Sequence, residues 1–119
     1  MQLLTAELRA QLPGIYSQVE KRDPIVYAKF FIPKTKRAWF VIEGQEHEAG
    51  FTFFGYAKSR RLELKFFSMK TLEALSRALG LPIQRDTRFK PAPWSEVKKR
   101  EGLEYQDRVR TVAAVLPVN

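Results

Sequence analysis

Along residues 25–32 (IVYAKFFI) the side chains fall into two alternating sets. Val26, Ala28, Phe30 and Ile32 share one face, and Ile25, Tyr27, Lys29 and Phe31 share the other. A period of two marks a strand with one face on a core, and β-branched and aromatic residues suit its pleat. Residues 38–43 (AWFVIE) and 51–57 (FTFFGYA) have the same composition, and 62–67 sets Leu62, Leu64 and Phe66 against Glu63, Lys65 and Phe67. The connections, about four to seven residues each, suit hairpins; a parallel crossover needs a dozen or more. The four segments predict an antiparallel meander.

The period changes at Ser68. Over 69–79 (MKTLEALSRAL) the apolar residues Met69, Leu72, Leu75, Ala78 and Leu79 recur at helical spacing, with Ser68 placed to cap the first turn. Gly80 stands where a left-handed residue closes a helix, and Pro82 follows. Such a stripe needs a surface, and one face of the sheet supplies it. Thr5 is an N-cap candidate for a short helix over 5–12 that Pro13-Gly14 ends, with Leu8 and Leu12 on one face. Residues 15–22 read as either a helical turn or a lead-in loop. Residues 83–94 read as extended, because Pro91 and Pro93 bias the residues before them away from helix. Ser95 is a cap candidate for a helix over 96–101. Tyr105, Val109, Val112 and Leu116 follow a helical spacing, though a strand over 109–116 fits as well. The expected fold is a single α+β domain spanning 1–119, with a four-stranded meander, the 69–79 helix on one face and terminal helices over the remainder.

Length and composition agree with one cored domain: 119 residues, 45% apolar and 13% aromatic. The chain has no cysteine, which excludes thiol nucleophiles, disulfides and thiolate metal sites and fits a reducing cytoplasm. MQLLTAELRAQLPG has neither a basic leader nor a long apolar run, so no signal peptide is expected, and nothing approaches the ~20 apolar residues of a membrane span.

Charge changes the picture more than composition does. The formal net charge is +8, and much of it lies in two predicted turns: Lys34, Lys36 and Arg37 in the first, Lys58, Arg60 and Arg61 in the third. The turn between them carries Glu43, Glu46 and Glu48. In a meander the first and third turns lie at one end of the sheet and the second at the other. The chain is then electrically polar, with a cationic rim suited to a polyanion. Lys98, Lys99 and Arg100 form a further basic run whose position relative to the sheet the sequence leaves open. The plainer reading of the rim is a solvated edge that resists sheet-to-sheet aggregation.

Catalytic chemistry is hard to assemble from these residues. The sole histidine, His47, sits between Glu46 and Glu48, and adjacent residues of a strand or turn point apart, so they rarely ligate one ion. Neither a phosphate-binding glycine loop nor a G-x-S-x-G context occurs. Asp86, between Arg85 and Arg88, suits a structural ion pair. We therefore expect no catalytic residues, no metal, no cofactor and no enzyme. Tyr27, Phe31, Trp39, Phe54, Tyr56 and Phe67 fall on the face away from Val26 and Phe30, where they either stack single-stranded bases or lie under a second layer. Six exposed rings would exceed the apolar patch a soluble monomer tolerates, which favours cover. Trp94, bracketed by prolines, reads as an anchor for its loop.

The strands YAKFFIP, WFVIE and FFGY, the LELKFFSMKTLEAL junction and the RDTRFKPAPWSEV segment follow one another in this order between Tyr27 and Val97. In that respect the chain resembles domain-of-unknown-function family 2958, small proteins of bacterial plasmids, integrative elements and phages. The resemblance implies an accessory protein of a mobile element and supplies no catalytic residues. The basic turns are richer than that pattern implies, and the segment after Arg100 has no counterpart in it. Two functions follow as expectations. One is nucleic-acid binding through Lys34, Lys36, Arg37, Lys58, Arg60, Arg61 and the Lys98–Arg100 run. The other is a protein–protein inhibitor or adaptor, such as a counter-defence protein of the anti-CRISPR type, docking on an acidic host protein or ribonucleoprotein surface.

Overall fold

Ala38–His47, the longest strand of the computed structural model, organises the rest of the chain. Residues 2–18 and 20–104 are described, so the helix or strand expected within 105–116 lies outside them. The elements run α1 (Ala6–Gln11), β1 (Ile25–Val26), β2 (Ala28–Phe31), β3 (Ala38–His47), β4 (Gly50–Lys58), β5 (Leu62–Ser68), α2 (Met69–Leu79), β6 (Gln84–Arg85), β7 (Ala92–Pro93) and α3 (Trp94–Glu101). The meander is present as an antiparallel sheet in the order β5-β4-β3-β2-β6, gaining a short fifth strand from the extended 83–94 segment. β1 and β7 pair separately, Ile25 with Pro93 and Val26 with Ala92.

Both sheet faces are covered. On one, Phe30, Phe53 and Val41 pack with Leu72 of α2 and with Leu3, Leu4 and Leu8 from the N-terminal segment and α1. On the other, Phe40, Ile42 and Leu62 pack with Trp94 and Val97 of α3 and with Leu103. Burial of one such large apolar side chain contributes roughly 1.5–3 kcal/mol. The α1 segment thus shares the α2 face, and α3 alone of the described helices lies on the other. α2 ends as its sequence suggests: Ser68 and Thr71 form a reciprocal capping box, and Gly80 has φ 65°. Only Leu72 of its stripe is fully buried, and Leu79 lies exposed at the end of the helix.

Residues 25–32 are not one continuous strand with one buried set. The chain changes partners at Tyr27, whose N–H donates to Val41 O at 2.8 Å while Ala28 also faces Val41. One extra residue is taken up there, and an extra residue in a ladder reverses the faces. Val26 consequently packs with Phe40 and Trp94, whereas Ala28 and Phe30 pack with Phe53. Trp39 and Phe67 also lie on the α2 face rather than the opposite one, and the half-buried Tyr27 packs against the same cluster. Trp39 stands directly across from Phe30, and Phe67 from Phe53, and directly opposed residues share a face.

The second irregularity has larger consequences. Val41 pairs with Gly55 but Glu43 pairs with Phe54, leaving Ile42 as an extra residue in β3. β3 approaches β4 so closely there that a Cβ on Gly55 would lie 2.0 Å from Phe40 O. Glu43 is therefore not part of an acidic turn; it lies within β3 and is only 2% exposed. Its carboxylate accepts the Tyr16 N–H at 2.8 Å and the Gln18 N–H at 2.7 Å. The Gln18 amide in turn donates to Ile25 O and Ile42 O and accepts the Ile25 N–H. Residues 15–18 form a turn, tied by this network to the sheet.

α3 begins at Trp94, with Pro93 at its cap position and no side-chain cap. Ser95 does not serve as the N-cap; its N–H and hydroxyl both donate to the Asp23 carboxylate, at 2.8 and 2.6 Å. Trp94 is the anchor expected of it, stacked on Tyr56 at 3.9 Å with the planes 6° apart.

Two substitutions test this frame. Gly55→Ala should lower stability by about 3 kcal/mol, the upper range for overpacking, because the obstructing atom is backbone and cannot rotate away. Glu43→Ala should cost roughly 2–4 kcal/mol, since two backbone N–H groups lose a charged acceptor. Chemical denaturation midpoints measure both; wild-type midpoints would disprove the close approach and the clamp.

Candidate functional site

The turn between β2 and β3 is held by its own hydrogen bonds. Ile32 N–H donates to Arg37 O, Thr35 N–H and hydroxyl donate to Ile32 O, and the Thr35 hydroxyl accepts the Arg37 N–H. This geometry places Lys34 at φ 66°, a left-handed conformation that disfavours side chains other than Gly and Asn. The β4–β5 turn is tighter, closed by Ser59 N–H to Arg61 O. Ala38 pairs with Lys58 and Lys58 with Leu62, so the two turns emerge side by side from one end of the sheet. The Lys58 ammonium reaches Lys36 O at 3.4 Å across the gap.

All six cations of these turns therefore sit together. Lys34, Lys36, Arg37, Arg60 and Arg61 are exposed and Lys58 is half-buried. Among the described residues no carboxylate lies within ion-pair distance of any of the six. Lys36, Lys58, Ser59 and Arg60 form one wall of an open cleft of about 450 Å³, whose other wall is Glu101, Gly102 and Leu103 at the end of α3. The acid in that wall is already engaged, with Glu101 binding the Lys29 ammonium at 2.9 Å.

The C-terminal turn of α3 thus reaches the rim, though its three basic residues differ. Lys99 is exposed and Lys98 half-buried, in the turn that Gly102 closes at φ 68°. Arg100 does not serve the rim. Its guanidinium lies over the Phe89 ring at 5.3 Å, donates to Lys90 O at 3.1 Å and pairs with Glu96 at 2.8 Å, which fastens the 86–91 loop to α3. Sequence spacing could not reveal the contribution of Ser59, Glu101, Gly102 and Leu103 to the cleft. Only packing of α3 on the sheet brings them there.

The opposite end is less acidic than the composition suggests. With Glu43 buried, Glu46 near the end of β3 and Glu48 in the β3–β4 turn remain exposed, and Glu46 is paired with Arg9. His47 is hydrogen-bonded to the Thr52 hydroxyl. Among the described residues no group of three or more His, Asp or Glu side chains is placed to hold a metal ion. Asp86 accepts the Arg88 backbone N–H at 2.9 Å, shaping a turn. A larger cleft of about 650 Å³ lies by α2, where Arg9, Glu46, Glu73 and Arg77 alternate in sign and create no single field. Of the aromatics expected on one face, Trp39 and Phe67 are buried under α2, and Tyr56 is covered by Trp94. Tyr16 and Phe66 are exposed at 67% and 46%. No described helix is long and apolar enough to cross a membrane.

The molecule is an α+β protein in which an antiparallel sheet carries helices on both faces and groups its basic turns at one end. The chain belongs to the family described as "Protein of unknown function (DUF2958)", whose model matches residues 3–99. That match is wider than the Tyr27–Val97 run and stops short of the segment after Arg100. No curated protein and no solved structure matches the chain.

Arg100→Ala should lower stability by about 1 kcal/mol, through the lost ring contact and loop tether, whereas Lys99→Ala should leave it unchanged. Thermal melts of the two variants measure the difference; equal melting temperatures would remove Arg100 from the structural role.

Proposed function

We propose that this protein is a non-enzymatic accessory protein of a mobile genetic element that binds nucleic acid through its basic rim. The observation that carries the reading is the convergence of two cationic turns, without neighbouring ion-pair partners among the described residues, on one side of a cleft. Arginine offers phosphate oxygens two parallel donors, and lysine offers a compact charge. Grouped donors of this kind suit holding a polyanion rather than transforming it. Lys34 adds support. A lysine kept in a left-handed conformation, where glycine or asparagine is less strained, favours a role for the side chain itself.

Phosphate contacts made this way position a ligand without reading its bases, so the expected binding is weakly sequence-dependent and strongly salt-dependent. Six neutralised phosphates would give a slope of log K against log salt near −5 for duplex DNA. Charge reversal at both exposed arginines, Arg60→Glu with Arg61→Glu, should weaken binding to DNA or RNA at low salt and reduce that slope by about two. Melting temperature should hardly move, because neither side chain is buried. Equal affinity in the double variant would discard the rim. A partner that the wild type retains from nuclease-treated host lysate, with no nucleic-acid binding, would instead favour docking on an acidic protein.

A further inference from the structure

We infer that Tyr16 and Phe66 form a base-stacking station, and that the ligand of the basic rim is single-stranded nucleic acid running beside β5. The inference rests on the rim's binding nucleic acid and adds a second, aromatic contact to it. Phe66 belongs to the same strand that leaves the β4–β5 turn, four residues beyond Leu62. At ~3.3 Å per residue it stands about 13 Å from the rim. It is directly opposite Phe54, and two positions from Leu64, which packs on the α3 side of the sheet. The rim cleft is also walled by the end of α3. Charge and rings therefore share one side of the molecule.

Three rings meet at the station. Phe66 lies 4.7 Å from Phe54, and Tyr16 stands edge-on to Phe66 at 6.1 Å, with their planes 77° apart. Tyr16 is presented in a fixed pose. Its N–H is held by the buried Glu43 carboxylate, and its backbone is left-handed at φ 72°. Among the described residues the Tyr16 ring meets Phe66 edge-on and otherwise stands mostly in solvent. Outward-facing rings offer sequence-tolerant stacking to unpaired bases, while a duplex keeps its bases stacked inside. With phosphates spaced ~3.4 Å along a stacked strand, 13 Å corresponds to about four nucleotides. That is at the short end of the ~4–16 nucleotides engaged by one small single-strand-binding fold.

Fluorescence anisotropy with a labelled oligothymidylate, and separately with a labelled duplex, tests the idea in the full chain. Tyr16→Asn removes the ring and supplies a residue at ease with positive φ, so the fold should survive; Phe66→Thr removes the second ring with a strand-compatible residue. The double variant should bind the single strand about tenfold more weakly or worse, with duplex affinity unchanged. Unchanged single-strand affinity in a variant that melts like wild type would overturn the station, as would an equal loss on both ligands. If the ring variant binds normally while Arg60→Glu with Arg61→Glu fails, the rim stands and the station falls. If wild type binds neither ligand, the rim fails and takes the station with it.

Discussion

The buried carboxylate of Glu43 is the interaction on which the molecule's layout depends. The N-terminal segment and α1 lie on the α2 face of the sheet, while β1 joins the opposite cluster through Val26, so the chain must pass from one face to the other between residues 12 and 25. That passage has little apolar material of its own. It is held because Glu43 accepts two backbone N–H groups and Gln18 adds three further hydrogen bonds. A buried carboxylate is tolerable only when it is hydrogen-bonded, and here each of its oxygens accepts a backbone N–H. The extra residue at Ile42 aims Glu43 inward, and Gly55, lacking a Cβ, lets that irregularity close.

Aromatic packing then separates what is structural from what is accessible. Phe30 and Phe53 meet edge-to-face on one side, and Tyr56 lies flat against Trp94 on the other. Such pairs add about 0.5–1.5 kcal/mol each beyond their buried area. Because α3 covers Phe40 and Tyr56, the open sheet face that single-strand-binding folds use is not available at its centre. The exposed rings are displaced to Tyr16 and Phe66, at the limit of the covering layer.

The same helix determines the shape of the charged end. α3 is fixed at its start by Trp94 and by Ser95 on Asp23, and near its end by Glu101 on Lys29. With both ends located, Gly102 and Leu103 face the β4–β5 turn and convert a row of exposed cations into a cleft. Arg100 and Lys99 are neighbours in sequence with different work: one ties a loop, the other points to solvent. Charge in the Lys98–Arg100 run is therefore not interchangeable.

Local chemistry determined much of this protein. α2 and its caps followed from Ser68, Gly80 and the spacing of Met69, Leu72 and Leu75, because propensity and capping act within a few residues. The meander and the shared end of the two cationic turns followed from strand period and short connections, which leave hairpin topology few alternatives. The order of its motifs also pointed to the family. Tertiary structure alone decided which face each strand residue occupies once Tyr27 and Ile42 insert extra residues. It likewise turned Glu43 from a presumed surface acid into a clamp, gave Arg100 its ring and loop, and brought the end of α3 to the rim. These features depend on contacts between residues far apart in the chain, and a single slipped register reverses them, so no periodicity along the sequence can reveal them.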